Sequence, residues 1–575
     1  MVGIAALVLY AATASTTVQG GDAGELLTVA AGGGVAHPPG YPLFTGLAAL
    51  CLKLPLGTLP WRGAMAAAVL AATGLGLVAA AVQRLTSHRL AAVAAAGSLG
   101  LSGLCWRYAT VSEVFAGGVF TAGAVLFVAT GVRAGWRGPA AALALGLAVA
   151  SGIANHHTVV LLAPLVLWAL WHACKERPVP SLAAGAAGLL PGFAAYLALM
   201  PAGGTWRWGD TGSPEGLVHH FLRRDYGTFS LAISDAQVPV WAHPWDWLTA
   251  LPVEFAGVFF VLGAVGVVHA LRRPSGFGLA LLATLLLTGP VFFLKFNLPV
   301  EGFWTVVTSR FHLLPNTVFA VWVGLGAAAW LDSGILAGRR LRAGLVAVSL
   351  LLAGFASSGH APHRGWTVLE DYARNALSVV EPDALILGNG DSRLFAFLYL
   401  QSIVSLRPDV AYVEPDLLGY PWYRDRLNVL HPGLLPELDG KVHVPLPKLV
   451  GRHYGRRPIY VAPRLLEDAP LAAALPPAYP YGAVFMRLVG PQDTLPPPAA
   501  VEAQLRRSLA GFTVGSRVVT EHEATATWES EAWDQYAITF AVLADGYEAG
   551  GDAVAAARCR ATASELSPWR FPAEP

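Results

Sequence analysis

The sequence predicts a bundle of membrane-spanning α-helices followed by a water-soluble module that mixes strands and helices. Three observations carry this. Of the 575 residues, 55% are hydrophobic and only 13% are charged, where an average soluble domain has roughly 25% charged residues. The charges are unevenly placed, with 31 of 75 in residues 1–357 and 44 in the last 218. Apolar runs recur in the first part at about 20 residues each, the length that crosses a ~30 Å hydrocarbon slab as helix. One water-soluble core of that size and apolarity is excluded, and so is a disordered scaffold. A net charge of +1 with no basic block excludes a nucleic-acid partner. Cys51, Cys105, Cys174 and Cys559 are too scattered for a metal-ligand set or a disulfide framework.

In chain order the apolar runs fall near 2–18, 62–83, 90–106, 114–132, 139–153, 158–173, 181–200, 250–271, 277–296, 312–331 and 341–357. That makes about eleven transmembrane helices in a domain of residues 1–357. The first is cramped against Met1 and lacks preceding basic residues, so a start further upstream is expected. Arg84 with Arg89, Arg133 with Arg137, Lys175 with Arg177, Arg272 with Arg273, and the Arg339, Arg340, Arg342 group occupy alternate loops. Short loops rich in Lys and Arg stay cytoplasmic. Every second loop, and the C-terminal domain after an odd number of spans, is therefore expected outside.

Residues 358–490 have the composition of an outer α/β domain. Ala384–Leu387, Val410–Val413 and Pro458–Ala462 read as buried strands, and Leu394–Leu406 as a helix between the first two. A proline-rich connector at 491–498 leads into a helical segment over 500–575. Within it, Tyr536 to Pro568 resembles one helical hairpin of the tetratricopeptide kind.

Ionisable groups at a membrane boundary are costly unless they face protein or water, so those in the outer loops are the candidates for function. The first outer loop carries Asp22 and Glu25, three apart, which share a face if helical and can act as base and orienting partner. A capping or solvated acidic pair is the alternative. From Gly32 to Gly40, glycines and His37-Pro38-Pro39 describe a rigid turn leading to Tyr41 and a re-entrant or amphipathic segment. The second loop has Trp106, Arg107, Tyr108 and Glu113, and the third Asn155, His156 and His157. Adjacent helical histidines point about 100° apart and rarely hold one ion, so no metal is expected. Hydrogen-bond donation to an anion suits them better. Arg310, with His312, forms a second cationic point. There is no nucleotide-binding fingerprint and no Ser/His/Asp order. Acids and cations of this kind suit deprotonation of a hydroxyl and stabilisation of a departing phosphate.

Gly21-Asp22-Ala23-Gly24-Glu25-Leu26, followed by Val35-Ala36-His37-Pro38-Pro39-Gly40-Tyr41-Pro42-Leu43-Phe44, resembles the signature of multi-pass proteins related to protein O-mannosyltransferases. These are GT-C glycosyltransferases. The resemblance continues through Trp106-Arg107-Tyr108 and Glu113-Val114-Phe115, then Asn155-His156-His157-Thr158 and Ser309-Arg310-Phe311-His312, and reaches Trp422-Tyr423. It implies a GT-C-like fold, a polyprenyl-phosphate sugar as donor, no cofactor and no metal. On that likeness Asp22 is the general base with Glu25 close by, and Arg310, Arg107 and His156 hold the donor phosphate. His37, Tyr41, Tyr108, Glu113, Asn155 and His157 then bind substrate or shape loops. Gly117-Gly118 departs from the pattern, which favours bulkier residues there.

The function expected is transfer of a sugar, mannose by resemblance, from a polyprenyl phosphate to a hydroxyl of a protein or glycan, with inversion. Membrane lipid, lipid-linked donor and acceptor are the partners. A transporter or flippase of lipid-linked sugars, and a non-catalytic assembly protein, are the rivals. A transporter should show ionisable groups near mid-membrane and repeated halves; the acids here sit at span ends and no repeat is visible. High Ala, Gly, Leu and Arg usage points to a bacterial inner membrane with the C-terminal domain in a periplasm, the endoplasmic reticulum lumen being the alternative.

Overall fold

The computed structural model describes residues 1–572 apart from 202, 228–237, 334–337, 360–363, 438–443 and 515–526. The chain packs as two units, each assembled from three segments. One unit comprises Met1–Thr16, Ala36–Ala202 and Thr211–Arg364; the other comprises Thr17–Val35, Gly203–Asp210 and Gly365–Pro575.

The first unit is the helical bundle of a multi-pass membrane protein. Among the described residues five helices are long and apolar enough to cross a bilayer: Leu59–Thr86, Ala116–Arg133, Pro178–Leu199, Phe303–Asp332 and Arg340–Ser358. Two bent pairs, Arg89–Gly100 with Gly103–Ala109 and Ala242–Glu254 with Val258–Arg272, bring the number to seven if each is one span. The remaining expected runs coincide with shorter apolar helices, Val2–Thr13, Gly138–Ile153, His157–Ala173 and Gly276–Val291. The run expected from 250 to 271 is instead two helices meeting at 118°. Ala256 and Gly257 make the corner, both at positive φ (48° and 64°). Apolarity continues through the corner, so periodicity alone conceals it.

Helix ends follow local chemistry. Thr58 caps Leu59–Thr86 by accepting the Trp61 N–H at 3.3 Å, and Ser102 does the same for Cys105 at 3.3 Å. Helix faces in contact are built from small residues such as Ala64, Ala67, Ala71, Ala122 and Ala129, all fully buried. In lipid, close backbone approach replaces the hydrophobic drive that packs helices in water.

The second unit centres on a five-stranded sheet. Its strands are β3 (Leu385–Leu387), β4 (Ala411–Val413), β5 (Ile459–Val461), β6 (Ala478–Tyr481) and β7 (Phe485–Leu488). The order is β4-β3-β5-β7-β6, with β3, β4 and β5 parallel and β7 antiparallel to both its neighbours. Ile386 lies opposite Tyr412 on one side and Tyr460 on the other. The three parallel strands are continuous apolar runs because both faces are covered. The helix Asp391–Ser402 joins β3 to β4. Pro498–Gly511, Ser530–Ala549 and Ala553–Leu566 pack around Ala483, Leu505, Phe540, Tyr547 and Cys559 as one core.

Two short segments from far upstream complete this unit. β1 (Gly34–Val35) pairs in parallel with β2 (Trp206–Arg207). The helix Ala23–Gly32 lies on Asp391–Ser402, and a Cβ at Gly24 would sit 2.4 Å from the Phe395 carbonyl oxygen. The two backbones approach too closely there for any side chain. Gly24→Val is therefore expected to destabilise this unit by about 1–3 kcal/mol, the usual cost of overpacking. A lowered unfolding temperature of the purified protein in detergent checks this, and an unchanged one refutes the close approach.

Candidate functional site

The site residues expected from sequence divide between the two units. The acids belong to the second. Gly21 N–H donates to Ser392 Oγ at 3.0 Å, and Val18 N–H to Glu370 Oε2 at 2.9 Å, which fixes the entry to the acid-bearing helix. Asp22 is the N-cap residue of Ala23–Gly32 and is half-buried. Glu25 is fully buried one turn on, and its Oε1 accepts the Trp206 indole N–H at 2.7 Å. The two carboxyls thus differ in kind: Asp22 is within reach of solvent, whereas Glu25 holds a neighbouring strand.

Trp206 anchors an aromatic group. Trp422 stands edge-on to it at 5.4 Å and lies 4.9 Å from Trp208, and the Arg426 guanidinium sits 4.9 Å above the Trp206 ring. These contacts join residues more than 180 positions apart, so no local pattern marks them.

At the carboxyl ends of β3 and β4 lie Asp391 and Glu414. Glu414 is buried, and the Gly390 backbone N–H and the nearby Arg393 cation offset that burial only in part. Burial first, then the nearby Asp391 and Asp416, push its pKa up to about 8. A carboxyl with a folded pKa above its unfolded value of about 4.3 adds stability below that value and loses it as pH rises through about 8. Between pH 5 and 8 the wild type is expected to lose stability by up to about 1.4 kcal/mol per pH unit from this group. Glu414→Gln should flatten that slope in thermal melts, and an unchanged slope excludes Glu414 as its source.

The cations belong to the first unit. Arg310 starts a short 3-10 turn, Arg310–His312, between two helical stretches. Its Nε donates to the Val307 carbonyl at 3.0 Å and its guanidinium lies 4.9 Å from the Phe115 ring centre. His156 packs against the same aromatic group, 5.5 Å from Phe115 and 6.0 Å from Phe311. Its Nδ1 accepts the Thr158 backbone N–H at 3.3 Å, which leaves the ring proton on Nε2 as a donor. Tyr41 stacks on His156 at 6.0 Å, and the Tyr41 hydroxyl is 2.8 Å from His37 Nε2. The rigid turn expected at 32–40 closes with Gly40 N–H donating to His37 O at 2.8 Å, and the helix Pro42–Cys51 follows.

Phe115, His156, Thr158, Phe292, Arg310 and Leu314 line one narrow cavity of about 20 Å³. It offers cationic and N–H donors beside an apolar wall. Tyr108 reaches the same aromatic group, 5.6 Å from Phe115, and donates to Val306 O at 3.4 Å. Asn155 is buried and donates to Val114 O at 2.9 Å. A Cβ at Gly117 would strike the Asn155 amide at 2.4 Å. The unexpected small residue is thus the partner of a buried asparagine. Glu113 is buried as well.

The other expected residues have these neighbours. His157 turns away from His156 to pack on Phe221 at 4.6 Å, because His156 is the extended residue before the 3-10 turn that His157 begins. Arg107 lies within electrostatic reach of Glu254, a half-buried carboxyl that accepts the Leu104 N–H at 3.1 Å and that sequence patterning passed over. His312 is buried 3.7 Å from Asp246. Among the described residues no group of three or more His, Cys, Asp or Glu is arranged to hold a metal ion.

An apolar helical bundle, a mixed sheet module and a cation-lined cavity with an apolar wall describe a polytopic helical membrane protein. Residues 22–178 match the protein O-mannosyl-transferase TMEM260 N-terminal domain, and residues 369–430 match TMEM260-associated domain 2. The chain is 30% identical over 452 residues to protein O-mannosyl-transferase TMEM260 of Mus musculus, covering 74% of this chain and 63% of that one. It is 24% identical over 514 residues to the Dictyostelium discoideum protein of the same name, covering 80% and 62%. The fold is shared with ArnT from Cupriavidus metallidurans bound to undecaprenyl phosphate, with a TM-score of 0.54 at 14% identity over 83% of this chain and 94% of that one. The chain is thus a relative of the TMEM260 protein O-mannosyl-transferases, and it spans less than two thirds of the length of these two curated proteins.

Proposed function

We propose that the protein is a membrane glycosyltransferase that moves a sugar, mannose by its kinship, from a polyprenyl phosphate to a hydroxyl of a protein acceptor. The observation that carries this is the cavity shared by Arg310, His156, Phe292 and Leu314. A prenyl phosphate has a charged head on an apolar tail, and this lining answers both. The ArnT structure that shares the fold holds undecaprenyl phosphate.

In the proposed reaction the acceptor oxygen attacks the anomeric carbon as its proton passes to Asp22. The bond from that carbon to the phosphate oxygen breaks, and the configuration inverts. The prenyl phosphate leaves with its negative charge held by the Arg310 guanidinium and the His156 Nε2–H. Stabilising charge where it develops is the largest single contribution in such reactions. Glu25 acts through Trp206 as a positioning residue, and Arg107 with Glu254 supports the bundle. His37, Tyr41, Tyr108, Asn155, Glu113 and His157 shape the donor side.

The topology that goes with this reading has eleven crossings, the four short apolar helices completing the seven longer ones. The arginine-rich loops then lie in the cytoplasm and the sheet module outside. The test is incubation of purified protein with polyprenyl-phosphate mannose and hydroxyl-bearing peptides, read by mass spectrometry. A hexose added to the peptide with release of prenyl phosphate supports the proposal. Movement of the intact lipid without cleavage overturns it in favour of a transporter.

A further inference from the structure

A second cavity lies wholly within the sheet-containing unit, lined by Trp206, Leu398, Tyr412, Leu427, Leu430 and Arg426, with a volume of about 250 Å³ and partly open to solvent. Its walls are mostly apolar; Gln401, Ser402 and His431 add neutral polar groups, and Arg426 is its one cation. Arg426 stacks on Trp206 and donates through Nη1 to the Thr205 carbonyl. Among the described residues it has no carboxylate partner, so Nε and Nη2 remain to be used. His431 also lines the cavity, and burial keeps it below the usual histidine range, hence neutral at pH 7. Burial pulls Arg426 itself down to about 10, which leaves it charged. The cavity therefore carries a single positive charge with one pair of parallel donors.

We infer that this cavity binds a carboxylate side chain of the acceptor peptide, an Asp or Glu flanked by apolar residues. A guanidinium fork matches one carboxylate with two hydrogen bonds. A phosphate dianion would call for a second cation, and the neutral histidine does not supply it. Apolar walls fit flanking Val or Leu, and Leu430 at the rim is 52% exposed. The inference rests on the proposed peptide acceptor and extends it. Trp206 touches both Arg426 and Glu25, so one indole separates this cavity from the acid-bearing helix. Two to four extended residues, at about 3.3 Å each, span such a gap. The acidic residue is therefore placed two to four positions from the modified hydroxyl.

The test is equilibrium binding to the full-length protein in phosphatidylcholine nanodiscs without donor. The probes are Ac-Val-Thr-Val-Glu-Leu-NH2 and its Gln counterpart. The Glu peptide is expected to bind about ten-fold or more tightly than the Gln peptide. Arg426→Gln should erase that preference and Arg426→Lys should keep only part of it. Should Arg426→Gln fail to fold, Leu430→Glu serves instead, weakening the Glu peptide alone by placing a competing carboxylate at the rim. Equal affinity of the two peptides for the wild type overturns the inference. So does a preference that survives Arg426→Gln, or displacement of the Glu peptide by millimolar inorganic phosphate, which would mark a phosphate site. Since no sugar donor is present, a protein that prefers the Glu peptide but transfers nothing retains this inference and loses the proposed activity. One that transfers sugar with no preference does the reverse.

Discussion

Asp22→Asn is expected to lower sugar transfer about 10³-fold while leaving the folded protein intact, the range a general base contributes being roughly 10²–10⁴. Asparagine is chosen because of where Asp22 sits. It is the N-cap residue of Ala23–Gly32 but its side chain makes no capping bond there, and Asn suits that position as well as Asp does. If the acid served only to begin that helix, the variant would work normally. If it takes the acceptor proton, the amide cannot. Melting temperature and transfer measured side by side separate the two, and near-normal transfer removes Asp22 from the chemistry. Glu25→Gln should be much milder, below about ten-fold, because a Gln carbonyl can still accept the Trp206 N–H at a neutral hydrogen bond's strength.

Arg310→Ala is expected to lower transfer about 10²–10³-fold, the loss seen when one donor to a developing anion is removed. The more telling variant is Arg310→Lys. In this structure the arginine spends Nε on the Val307 carbonyl and lays its plane near Phe115. A guanidinium carries its terminal nitrogens as a fixed fork, and a flat cation stacks where an ammonium would not. Lysine should therefore recover less than a tenth of the lost rate. If Lys serves nearly as well as Arg, the residue is a snorkelling interface cation and the donor phosphate lies elsewhere.

Much of the architecture was legible because it is written in composition. β3, β4 and β5 are unbroken apolar runs ended by Gly-Asn-Gly-Asp or Pro, and they were expected within a residue or two. The hairpin β6–β7 was not, because Pro480 interrupts its first strand and Ala478-Tyr479 carries no alternation. Asp22, Arg310 and His156 could be singled out as polar groups at span ends, where their cost demands a reason. Trp206 could not: its claim on Glu25 crosses 181 positions and leaves no periodic trace. The same holds for Arg426, which in sequence is one more charge on a polar helix. Gly117 shows the reverse failure, a departure that is explained only once Asn155 is seen against it.

The packing of residues 17–35 with the C-terminal segment has a consequence for biosynthesis. The acid-bearing helix leaves the ribosome early, yet the surface it lies on, Asp391–Ser402, is made 377 positions after Glu25. At roughly 5–20 residues per second that is a wait of roughly 20–75 s. During it, a polar loop with a buried-to-be carboxylate stands on the membrane without its support. Chains released before about residue 400 would carry the helices of the bundle but no organised acid helix. Such fragments would be inserted yet would lack the proposed activity, which waits on synthesis of the Asp391–Ser402 helix.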